Sequence, residues 1–193
     1  MNTRRLLGRL LTVVLLTAGV AANANDNPVI RLETTLGNID IELYPDKAPE
    51  TVKNVLDLVD RGFYDGLIFH RVVAGFVIQA GGYDPDLTYR EPPGTVVNES
   101  DNGLKNVRYS VAMARLADPD SADSQFFINL KDNPHLDAGP DSPGYTVFGQ
   151  VIAGTDVVDE IELVDTHLEG GMAGVPEQDV IITHAERLAP AEH

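Results

Sequence analysis

Beyond residue 24 the apolar residues of this chain come in short bursts, each closed by Gly, Pro, Asp or Asn. Bursts of that length cannot build long helices or a membrane span, and most of them alternate as strands do. Val29–Thr34 and Ile39–Leu43 are strand-like runs, with a hairpin turn expected over 36–38. Pro49 suits the first turn of a helix in which Val52, Val55, Leu56 and Val59 share one face and Gly62 supplies the stop. Residues 67–82, LIFHRVVAGFVIQAGG, read as two strand pieces split at Ala74-Gly75. Residues 83–105 are rich in Asp, Pro, Gly and Asn and are expected to form a long surface loop. Short strands follow over 109–113, 125–130 and 146–151. A second helix spans 155–163, with Thr155 expected as its N-cap. A glycine-rich loop at 170–174 precedes a last strand from Val180. Many short strands with two helices favour a closed β-barrel over a parallel sheet.

The first residues have a different character. Arg4, Arg5 and Arg9 precede an apolar run over 10–20, and Ala22-Asn23-Ala24 offers small residues at cleavage spacing. This is the three-part pattern of a secretory signal peptide, so residues 1–24 are expected to be removed and residues 25–193 to form a single folded unit outside the cytoplasm. The run is short for a span of ~20 residues, so no membrane attachment is expected after cleavage. The chain carries 30 acidic against 14 basic side chains, a net charge of −16, and loss of the three leader arginines deepens it. Such a surface repels nucleic acid and anionic lipid. With no cysteine, stability must come from a core and not from disulfides.

Several chemistries find no support. There is no thiol, no G-x-S-x-G elbow and no phosphate-binding GxxxxGK[ST] loop. The five histidines show no H-x-x-x-H pair, and Asp118, Asp120 and Asp123 lack the turn glycine and closing glutamate of a calcium loop. No metal and no cofactor is expected. What stands out is Arg71, set inside the apolar stretch 67–82 with no Asp or Glu in that stretch to pair with it. A structural arginine in a strand would want a carboxylate from elsewhere or a route to solvent.

Three blocks carry a resemblance. Phe69-His70-Arg71 followed by Gly75-Phe76 and Gln79, then Ser124-Gln125-Phe126-Phe127-Ile128, then Val147-Phe148-Gly149-Gln150-Val151 are together similar to the cyclophilin family of peptidyl-prolyl isomerases. The likeness extends over about 28–189. It implies a mostly β fold, a closed eight-stranded antiparallel barrel capped by two α-helices, and a cyclophilin-like isomerase domain at 25–193. By position, Arg71 matches the catalytic arginine, with Gln79 and Phe76 beside it. Phe76, Phe127 and Leu136 match the hollow for the substrate proline ring, and Val77 fills a slot usually held by a larger side chain. Gln125 matches a polar group that holds substrate or arginine. Met113, Ala114 and Arg115 match the strip supporting the residues before the proline. Tyr145 falls where many relatives carry histidine, and His135 where cyclosporin-sensitive relatives carry tryptophan, so tight cyclosporin binding is not expected. Ala74, Ala80 and Arg115 replace a common proline, glycine and asparagine.

The resemblance implies isomerisation of X-Pro bonds in flexible exported polypeptides by a periplasmic monomer. The alternative is a module that binds proline segments with little catalysis. His70 is expected in the core or a polar network, not as a base. One geometric tension is visible. Strand alternation sets Phe76 and Gln79 on opposite faces, so a twist or bulge must intervene if both face one hollow.

Overall fold

The computed structural model describes residues 27–140 and 142–189. The expected leader lies outside them. Among the described residues no helix is long and apolar enough to cross a membrane.

Among the described residues, ten strands and two α-helices form. β1 (Val29–Thr34) and β2 (Gly37–Leu43) make the opening hairpin, and α1 (Pro49–Asp60) follows. β3 (Arg71–Val73) and β4 (Val77–Ala80) flank a tight turn. β5 (Ser110–Met113), β6 (Phe126–Asn129) and β7 (Val147–Ala153) complete the centre of the sheet. α2 (Thr155–Glu162), the hairpin β8 (Thr166–Glu169) with β9 (Met172–Pro176), and β10 (Ile182–Arg187) end the chain. Eight strands join antiparallel in the order β10-β1-β2-β7-β5-β6-β4-β3. The ladder leaves β3 and β10 as its two edges, so the sheet is curled but not a continuous closed ring of paired strands. Across the gap, Phe69 N donates to Val180 O at 2.9 Å and Ile182 N donates to Leu67 O at 2.8 Å. Ile68 and Ile181 form an isolated bridge between them. These bonds lie just before β3 and around the first residue of β10, and they do not continue as a regular ladder.

The curl encloses the main core. Leu32, Ile39, Ile41, Leu43, Ile78, Val111, Ile128 and Phe148 face inward, and α1 covers them with Val52, Val55, Leu58 and Val59. The three valines are the stripe expected from the sequence, but its leucine is Leu58, while Leu56 is only half-buried at the edge of the core. α1 lacks a side-chain cap of its own. The carboxylate of Glu99 supplies it from the long loop, accepting from Glu50 N at 3.1 Å and Thr51 N at 2.9 Å. An acid at a helix N-terminus also suits the helix dipole.

Three local expectations are corrected. The β1–β2 turn is Thr35-Leu36, one residue earlier than expected, because Thr34 pairs directly with Gly37. Thr155 is the first residue of α2 and not its cap; Gly154 precedes it with φ +81° and no side-chain capping bond. A Cβ at 154 would stand 2.0 Å from Asn38 O, so close packing on β2 decides that position. The glycine-rich segment at 170–174 is not a loop but the centre of the β8–β9 hairpin, turned through Gly170 (φ +59°) and Gly171 (φ +86°). Two consecutive positive φ values fit a tight hairpin turn. This hairpin is largely exposed, so no apolar alternation marks it in the sequence.

Candidate active site

The site lies on the outer face of the sheet. Alternation sends Ile78 and Ala80 of β4 inward and Val77 outward. β6 does the same with Phe126 inward and Phe127 outward, and β5 sends Ala112 outward between Val111 and Met113. Register then lines up one outward row: Arg71 opposite Gln79, Gln79 opposite Phe127, and Phe127 opposite Ala112. An isolated arginine in an apolar stretch thus stands at the end of a row that crosses four strands.

Around this row lies a second apolar cluster, separate from the main core: Val77, Ala112, Phe127, Leu136 and Val147, with Phe76, Ala114 and Tyr145 at its margin. It forms the floor of a hollow of about 210 Å³, walled by Arg71, Phe76, Gln79, Arg115, Leu136 and Tyr145. The tension between Phe76 and Gln79 resolves without a bulge. Phe76 belongs to the turn before β4, closed by Phe76 N donating to Val73 O at 2.9 Å, with Gly75 at φ +67°. Its ring is therefore not bound to strand alternation.

A buried polar network that the sequence reading missed fixes the far wall. Asn129, fully buried, donates to Asn106 Oδ1 at 3.2 Å and to Ser110 Oγ at 3.0 Å. Asn133 donates to Asn129 Oδ1 at 2.8 Å and to Phe76 O at 3.2 Å, and Leu130 N donates to the same carbonyl at 3.0 Å. Asn133 also leads into a single 3-10 turn, Pro134–Leu136, which presents Leu136. Tyr145 N donates to Leu136 O at 2.9 Å. Asparagine pairs of this kind leave no periodic signal, which is why they could not be read from the chain.

The guanidinium of Arg71 stands 5.9 Å from the centre of the Phe76 ring. Among the described residues, no carboxylate lies within ion-pair distance of it. Gln79 Nε2 donates to Gln125 Oε1 at 3.1 Å, which fixes the orientation of the Gln79 amide beside Arg71. Gln125 itself lines an adjoining hollow of about 330 Å³ with Tyr83, Tyr89 and Asp123, and that hollow shares Gln79, Ala114 and Arg115 with the first. The placement of the other expected residues is mixed. His135 is exposed and stacks on Phe76 at 5.7 Å, outside the hollow's wall. Met113 is turned into the main core at 1 % exposure, so its side chain does not reach the groove. His70 is buried against Tyr83 at 4.7 Å. Burial, and then the charge of Arg71, push its pKa down to about 4, so it is neutral through the ordinary range.

A guanidinium thus stands beside an apolar hollow of about 210 Å³ whose wall, among the described residues, carries no acid. Residues 29–187 match the family described as cyclophilin type peptidyl-prolyl cis-trans isomerase/CLD. The chain is 44% identical over 185 residues to peptidyl-prolyl cis-trans isomerase A of Dickeya dadantii, covering 95% of this chain and 97% of that one. It is 47% identical over 157 residues to peptidyl-prolyl cis-trans isomerase B of Escherichia coli, covering 80% and 96%. Its fold matches the crystal structure of a Cryptosporidium parvum cyclophilin type peptidyl-prolyl cis-trans isomerase in the presence of the dipeptide Ala-Pro. That match has a TM-score of 0.72 at 27% identity, over 83% of this chain and 99% of that one. The chain belongs to the cyclophilin-type peptidyl-prolyl cis-trans isomerases, and that isomerisation is its class of activity.

Proposed function

We propose that this protein accelerates rotation about X-Pro bonds in exported polypeptides, with Arg71 as the donor to the prolyl nitrogen. Rotation about an X-Pro bond is slow because it breaks amide resonance, with a barrier of about 20 kcal/mol. At the half-rotated stage the nitrogen lone pair is no longer shared with the carbonyl and can accept a hydrogen bond. A donor aimed there binds the twisted state more tightly than either planar isomer, which is the requirement for catalysis. Arginine stays charged at any working pH and offers a rigid fork of N–H groups.

The observation that carries this reading is the cationic fork of Arg71, without a carboxylate partner among the described residues, at the rim of the hollow floored by Phe127. The hollow takes the pyrrolidine ring, and the chain on the N-terminal side of the bond turns. The Ala-Pro dipeptide present with the C. parvum relative supports a proline-containing ligand. A rate gain of ~10⁵ needs about 7 kcal/mol of differential binding. One charge-assisted bond contributes ~1.5–3 kcal/mol, so held geometry and desolvation supply the balance. Arg71→Ala should accordingly lower kcat/KM for an Ala-Pro peptide by about 10- to 150-fold. Exchange between the isomers, followed by NMR, tests it. Unchanged exchange in the variant removes Arg71 from the mechanism, and peptide binding without any acceleration by the native protein favours a pure binding module.

The export part of the proposal rests on the basic, apolar and small-residue pattern of residues 1–24. Protein recovered from the periplasm should begin at Asn25; retention of Met1 on cytoplasmic protein overturns it.

A further inference from the structure

Among the described residues, the wall of the ring-sized hollow holds two guanidinium groups, Arg71 and Arg115, and no acidic residue. This is unexpected in a chain with 30 acidic and 14 basic side chains. Elsewhere Arg31 pairs with Asp40, Arg108 with Asp159 and Arg187 with Asp60. Arg115 is anchored differently. Its Nε donates to Gly144 O at 2.9 Å and its Nη1 to Leu116 O at 2.9 Å. Its Cζ lies 4.5 Å from the centre of the Tyr145 ring. Tyr145 in turn sets an edge against Phe127 at 5.6 Å. Backbone carbonyls and an aromatic face hold a guanidinium in place without cancelling its charge. Of the five N–H groups of an arginine, only two are used in these bonds. Asp123 lines the adjoining hollow and not this one. It is already engaged by Ser124 N and Gln125 N on one oxygen and by the Tyr89 hydroxyl on the other.

We infer that Arg115 makes this isomerase selective for prolines adjoined by a carboxylate, an acidic side chain next to the ring being drawn to a groove that is cationic within an otherwise acidic surface. The inference rests on the reading of the hollow as the proline site. Arg71 contributes to the same field, but its fork is committed to the ring nitrogen. Arg115 has donors to spare and sits where the two hollows meet, beside the path of the flanking residues. The attraction also works against the long-range repulsion of an acidic protein for an acidic peptide, so it is felt only at contact.

The test is a peptide series with Glu, Gln or Lys immediately before proline, and a second series with the same residues immediately after it, at pH 7.5. One of the two series should turn over in the order Glu, Gln, Lys. The kcat/KM ratio of Glu to Lys should be about two- to fivefold, the range of a solvent-exposed ion pair. That ratio should collapse toward one near 1 M salt, where the screening length falls to about 3 Å. Arg115→Gln should flatten the ratio at low salt, and Arg115→Lys, which keeps the charge, should retain most of it. Equal turnover of all peptides by the native protein overturns the inference without touching the isomerase reading. A ratio that survives Arg115→Gln removes Arg115 as its source. Absence of turnover on every peptide instead brings down the reading of the site itself.

Discussion

Glu162, at the end of α2, reaches across 87 positions of sequence to the turn that carries Phe76, where its Oε1 accepts from Gly75 N at 2.8 Å. Little else fastens that tip. Ala74 and Gly75 are exposed, and a Cβ at 75 would meet nothing within 4 Å. The carbonyl of Phe76 stays fixed by Leu130 N and Asn133. Truncation by Glu162→Ala therefore frees the tip while leaving the base of the turn in place. A hydrogen bond to a partly exposed carboxylate contributes about 0.5–1.5 kcal/mol net. Spread over the mobility of one wall of the hollow, that corresponds to a rise in KM of about two- to tenfold. On the proposed reading the turn would grip the ring alike in planar and twisted states, so kcat should change much less than KM. Glu162→Gln keeps an accepting oxygen and should restore most of the loss. Two measurements decide it: kcat and KM on an Ala-Pro peptide, and hydrogen exchange of the Gly75 amide. If Gly75 exchanges no faster in Glu162→Ala, the bond is not held in solution. If it exchanges faster while KM is unchanged, the turn does not govern the hollow.

Gly154→Ala forces a left-handed φ of +81° on a residue with a side chain and drives its Cβ to 2.0 Å from Asn38 O; it should cost about 2–4 kcal/mol, read as a lowered urea midpoint, and an unaltered midpoint would deny the close approach. His184 is held by Asp65 at 3.0 Å, and the hydrogen bond to Asp65, followed by its charge, raises the histidine pKa above the ordinary 6.5. Its contribution is thus complete below about pH 6.5 and is lost as pH rises through the raised value; His184→Gln should abolish that slope in urea midpoints measured against pH. His70 acts in the opposite sense. Its folded pKa of about 4 lies below the unfolded value, so stability falls as pH drops from 6.5 toward 4. Because the proposed rotation requires no proton transfer, the isomerase rate on an Ala-Pro peptide should stay nearly flat from pH 6 to 9, and a steep bell centred near neutrality would place a general acid or base in the site.

Much of the frame was legible because it rests on periodicity. The helical stripe of Val52, Val55 and Val59 and the alternation of 29–34 and 39–43 map onto α1, β1 and β2. The row from Arg71 to Phe127 is a different matter. Its members lie 56 positions apart, and only register between β3, β4 and β6 brings them together. Their joint placement could be anticipated from resemblance but not from spacing. The β8–β9 hairpin escaped because an exposed ribbon needs no apolar face, and glycines that turn a hairpin look in sequence like glycines of a loop. Met113 shows the limit of transfer by position: a residue in the strip beside the groove can turn its side chain into the interior. Glu162 and the Asn106–Asn129–Asn133 network gave no warning, since single polar contacts over long sequence separations have no pattern to detect.

The interior packing and the floor of the ring-sized hollow use alternate residues of the same strands, back to back across one layer of backbone. Val77, Ala112 and Phe127 stand outside the thirty buried side chains of the main core, whereas the next residue along each strand, Ile78, Met113 or Ile128, falls among them. Such a layout lets the lining of the hollow be altered at positions that the interior packing does not use.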